Sequence, residues 1–190
     1  MLTCKNMLQN ISKGQSSIPL RYIIIGLEND YKLMKNHITL MYVKRNIQSV
    51  IMYYKAPSST FQTLTYDVVL EFFGHDLVKI NADTPFKVYC NSPSFYFRYA
   101  NTFKHHGSLL YVDKYPAMVE DEANVRNPTK VSGFDKYVYS CLRLSMLEPI
   151  DDLIKKSYQD REPSVDSFNK KRFEYLKLQK LKKVAKDGIV

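Results

Sequence analysis

Glycine, cysteine and tryptophan are what this 190-residue chain has least of: six glycines, three cysteines and no tryptophan. The glycines stand at 14, 26, 74, 107, 133 and 188, far apart from one another. Phosphate loops and dinucleotide fingerprints need closely spaced glycines so that backbone N–H groups can approach phosphate, and a nucleophile elbow needs a G-x-S-x-G run. The spacing excludes all three. Cys4, Cys90 and Cys141 are odd in number and distant in sequence, which argues against a disulfide framework or zinc ribbon and for a reducing compartment. Cys90 and Cys141 sit in apolar patterns and read as small core residues. Long apolar runs are missing too. The longest, 22–27 and 68–73, are strand-sized, well short of the ~18 residues of a membrane span. The first residues include Lys5 but no apolar stretch with a cleavage site, so no signal peptide is read and the cytosol is expected.

Present instead are 45% apolar residues, enough for a core, and 13% aromatics, mostly 15 Tyr and 10 Phe. Tyrosine at this density favours strands and contact surfaces. The net charge of +9 is uneven. Residues 1–60 carry eight Lys/Arg against two acids, residues 61–120 five against six, and residues 121–190 fifteen against eleven. Within the last block, residues 170–190 hold eight bases and two acids. The excess therefore lies at the two ends, where it suits nucleic acid, a membrane surface or acidic protein. AT-rich coding, which inflates Lys, Asn, Ile and Tyr, explains the same excess without any function.

The periodicities predict an α+β chain: an antiparallel β-sandwich or barrel-like core followed by a helical C-terminal region. Residues 1–18 read as an N-terminal arm, 19–116 as the β-rich core, 117–132 as a linker and 133–190 as the helical region. Strand-length runs cover 20–27, 38–44 and 49–54. The clearest period follows: Leu64, Tyr66, Val68, Leu70 and Phe72 alternate with Thr63, Thr65, Asp67, Val69 and Glu71, a half-buried strand. Phe86, Val88 and Cys90 continue the pattern. Asn91-Ser92-Pro93 reads as a turn before a strand through Phe95, Phe97 and Tyr99, and 109–112 as another. From Phe134 the period becomes helical, Glu148-Pro149 stops or kinks that helix, and 150–158 makes a further one burying Leu153 and Ile154. A last helix runs from an Asp166 N-cap to Gly188.

Candidate chemistry is sparse. His37, His75, His105 and His106 form no H-x-x-x-H or C-x-x-C pairing, and His105-His106 before Gly107 reads as a polar loop. Glu71, Asp76 and Asp83 bracket one strand and turn, where carboxylates suit magnesium, but nothing in their spacing requires it. Tyr96, Arg98, Tyr99 and Lys104 interleave aromatic and basic groups as single-strand binders do. Nucleic-acid modules are otherwise missing. The chain is read as a non-enzyme without cofactor or metal, with no catalytic residue to name.

The last helix supplies the candidate binding residues. Phe173, Leu181, Val184 and Ala185 share a broad face interrupted by Lys170 and Lys177, while Phe168 and Leu176 lie on other sides. Apolar groups on several faces, Phe168, Phe173, Leu176 and Leu181 among them, with Lys170 and Lys177 at the rim, suit a helix wedged between neighbours. Two stretches, SPSFYFRYA at 92–100 and RNPTKVSGFDK at 126–136, resemble segments of virion structural proteins from phages of AT-rich bacteria. The resemblance covers about a fifth of the chain and implies an assembly role: a tail, neck or baseplate subunit with other virion proteins as partners, homo- or hetero-oligomeric, not in a membrane, assembled in the host cytoplasm and located in the virion. A nucleic-acid-binding accessory protein with basic terminal segments is the alternative, with nucleic acid the less favoured partner.

Overall fold

The computed structural model describes residues 1–6, 20–59, 64–112 and 135–158. Within them five strands form one antiparallel sheet: β1 (Leu2–Thr3), β2 (Thr39–Arg45), β3 (Ser49–Pro57), β4 (Thr65–Phe73) and β5 (Pro85–Cys90), in the order β1-β5-β4-β3-β2. Five helices accompany it: α1 (Leu20–Met34), α2 (Pro93–Arg98), α3 (Ala100–His105), α4 (Lys136–Ser145) and α5 (Ile150–Lys156). The class is α+β.

The four consecutive strands β2 to β5 make a meander whose register follows the side-chain alternation. Val50, Met52, Tyr54 and Ala56 of β3 stand opposite Phe72, Leu70, Val68 and Tyr66 of β4, and all eight are buried in the main core with Phe86, Val88 and Cys90 of β5. Helices α1, α4 and α5 add Leu27, Tyr31, Val138, Leu142, Ile150 and Leu153 to that core. The opposite sheet face carries a smaller cluster of Met41, Tyr53, Val69 and Tyr89, with Leu110 and Tyr111 against it. Apolar side chains on both faces explain why Val69 interrupts the otherwise polar half of the β4 alternation.

The sheet ends at β1 and β2 and is not closed, so the expected sandwich or barrel is not what the described strands form. Two strand-like runs are helices, which removes the strands a second sheet would need. The run 20–27 is the first half of α1. Its contiguous apolar residues carry no period, and the helix shows itself only further on, where Leu27, Tyr31 and Met34 are buried at i, i+4 and i+7 while Leu33 faces solvent. The run 95–99 belongs to α2. Ser92 is its N-cap, the Ser92 hydroxyl accepting from the Phe95 amide at 3.1 Å, with Pro93 in the first turn, where its missing N–H costs nothing. The Ser-Pro pair thus starts a helix and does not turn a hairpin. Residues 109–112 contribute one parallel bridge, Leu109 to Val88, in place of a strand. Helices α4 and α5 lie where the helical period placed them. Leu153 is buried, but Ile154 keeps 37% of its surface in solvent.

The arm expected over 1–18 is anchored at its start. Leu2 and Thr3 pair with Phe86 and Pro85, Leu2 and Cys4 are buried, and the Leu2 amide donates to the Ser108 hydroxyl at 2.6 Å. Residues 7–19 lie outside the described residues. Deleting residues 1–6 is therefore expected to cost about 2 kcal/mol, the value of burying one leucine-sized side chain. Urea unfolding of the truncated chain checks this. An unchanged midpoint would mean the edge strand contributes nothing.

Candidate contact surface

At one end of the sheet three connections meet: the β2–β3 turn at 46–48, the β4–β5 loop at 74–84 and the α4–α5 turn at 146–149. Backbone bonds tie them together. The Gly74 amide donates to the Gln48 carbonyl at 3.1 Å, and the Ile150 amide to the Val78 carbonyl at 2.8 Å. Lys79 forms an isolated antiparallel bridge with Pro149. Arg45, the last residue of β2, spans the junction: its guanidinium donates to the Leu77 carbonyl at 3.4 Å and lies 3.0 Å from the Asp151 carboxylate. On this braced rim Ile47 is 81% exposed, Val78 67% and Leu147 52%. Arg45, Asn46, Ile47, Gln48 and Ser49 line an open recess of about 540 Å³.

The bracing gives the rim its meaning. An apolar side chain on a freely moving tip would lose freedom when a partner covered it, whereas one on a fixed backbone loses little. Two ion pairs join the connections to the rest of the molecule, Lys5 with Asp83 at 3.2 Å and Lys156 with Glu148 at 2.6 Å. All four groups are partly exposed, so the pairs position segments and contribute little to stability.

Toward the opposite end of β4 the described residues form a chain of buried polar bonds. Asp67 on β4 is buried and accepts from the Tyr53 hydroxyl at 2.6 Å and from the Asn91 side-chain amide at 2.9 Å. Beside Asn91, Ser92 donates its hydroxyl to Asp135 at 3.2 Å. Asp135 in turn caps α4, accepting from the Tyr137 and Val138 amides at 3.0 and 3.3 Å. One carboxylate and one hydroxyl thus lock the starts of α2 and α4 together. Burial pushes the Asp135 carboxyl above its ordinary range against the bonds that favour the charged form. Burial, with Asp135 adding to it, also pushes the Cys90 and Cys141 thiols well up, so both stay protonated as core residues. Burial pushes Cys4 up to about 11.

Among the described residues the candidates read from sequence are not brought together into one site. Phe168, Lys170, Phe173, Leu176, Lys177 and Leu181 lie outside the described residues, as does the helix expected over 166–188. The three carboxylates have separate partners: Glu71 accepts from the Ser49 hydroxyl at 3.0 Å, Asp76 lies 3.6 Å from His75, and Asp83 pairs with Lys5. Among the described residues no three His, Cys, Asp or Glu side chains are grouped for a metal. His105 ends α3 and His106 is its C-cap, both exposed, in place of a loop. Of the aromatic and basic segment, Tyr96 is buried and Arg98 exposed, so the two do not share a stacking face. Sequence reasoning missed Ile47, Val78 and Leu147. All three are apolar residues in connecting segments, but only Ile47 stands between polar neighbours; Val78 follows Leu77 and Leu147 follows Met146, so only Ile47 carried a local signal.

No helix among the described residues is long and apolar enough to cross a membrane. Comparison with protein-family models, with curated proteins and with solved structures finds no match to this chain.

Proposed function

We propose that this chain is a structural assembly subunit of a tailed-phage particle, at a tail, neck or baseplate position, acting through protein–protein contacts. The observation that carries the assembly reading is the braced rim with Ile47, Val78 and Leu147 turned to solvent. Covering such side chains contributes about 1.5–3 kcal/mol each when burial is complete. The fixed backbone beneath them keeps the ordering cost low. The phage assignment rests on the resemblance of 92–100 and 126–136 to virion proteins. In this reading the chain meets other virion proteins in the host cytoplasm and remains in the finished virion.

The test is to sediment particles from a producing culture and count this chain in them by quantitative mass spectrometry. A constant number of copies per particle, retained through density-gradient purification, is the expected outcome. Recovery of the chain only as the free 22.3 kDa species, with none in particles or in any complex of fixed stoichiometry, would sink the proposal.

A further inference from the structure

We draw no further inference here: the strongest candidate, the apolar surface patch of Ile47, Val78 and Leu147 on the rim where the β2–β3 turn, the 74–84 loop and the α4–α5 turn meet, belongs to the contact surface already described, and nothing in the structure shows what covers it.

Discussion

Phe86→Ala should lower the stability of the fold by about 4 kcal/mol, within the range for a phenylalanine removed from a packed core. Phe86 is fully buried on β5, at a place where several elements meet. It pairs with Leu2 of β1 on one side and Phe72 of β4 on the other. Its ring lies 6.3 Å from that of Phe72 and 6.1 Å from that of Phe103 on α3, and Phe103 lies 5.5 Å from Phe95 on α2. An alanine there removes the ring that links the sheet to α2 and α3, and the rigid sheet can close little of the resulting cavity. Domains of this size are stable by roughly 5–15 kcal/mol, so the variant sits near its unfolding threshold. Urea denaturation followed by circular dichroism measures the loss. A change below about 1 kcal/mol would mean that these rings do not form the core. Ile47→Asn is the matched control and should stay within about 0.5 kcal/mol, because its side chain is already in water.

The meander was legible in the sequence because each of its strands buries alternate residues against one set of helices. Val68, Leu70 and Phe72 announce that face by spacing alone. The helices at α1 and α2 were not legible, for two different reasons. In α1 the residues 22–27 form one contiguous apolar run, so neither period shows, and the β-branched run Ile23-Ile24-Ile25 biases the reading toward a strand. In α2 the aromatic residues fall at alternate positions by coincidence, and the capping chemistry of Ser92 and Pro93 decides the outcome. The cap is a local signal, readable once Ser-Pro is taken as a helix start. Its partner, Asp135, lies 43 residues away and no local pattern points to it.

The tyrosines taught a similar lesson. Their abundance suggested strands and contact surfaces, but several of the described ones serve the chain's own interior. Tyr54 is buried with its hydroxyl 2.7 Å from that of Ser145, Tyr53 donates to Asp67, and Tyr139 donates to Glu28. Burial pushes all three phenols up, so they remain donors. The exposed groups that suit a contact are aliphatic and sit in turns. Composition cannot find them, because a single isoleucine or leucine in a turn weighs nothing in a window average. Their exposure emerges only when the backbone bonds between Gly74 and Gln48, and between Ile150 and Val78, bring the connections to one end.

Asp135 should show the second large effect, and one with a definite pH sign. Asp135→Ala removes the acceptor of the Tyr137 and Val138 amides and of the Ser92 hydroxyl at a fully buried position. Buried donors left without an acceptor cost about 1–3 kcal/mol each, and part of this is regained by relaxation, so a loss of about 3 kcal/mol is expected. Asp135→Asn keeps the oxygen that caps α4 and should cost less than half as much. The wild type and the asparagine variant should also differ in pH dependence. Burial raises the folded-state pKa of Asp135 above its unfolded value. Below the unfolded value, about 3.9, the group is protonated in both states and contributes no pH dependence. As pH climbs from there through the raised folded-state value, the unfolded chain ionises first, the folded chain holds the extra proton, and stability falls. Above both values the penalty is constant. The asparagine variant has no such proton, so the stability of wild type relative to Asp135→Asn should decline with rising pH across that window and then level. Parallel urea titrations from about pH 3.5 to about pH 8 measure this difference directly. A difference that grows with pH would show that the amides and Ser92 stabilise the carboxylate by more than burial opposes it, and that the interlocked caps of α2 and α4 favour the charged form.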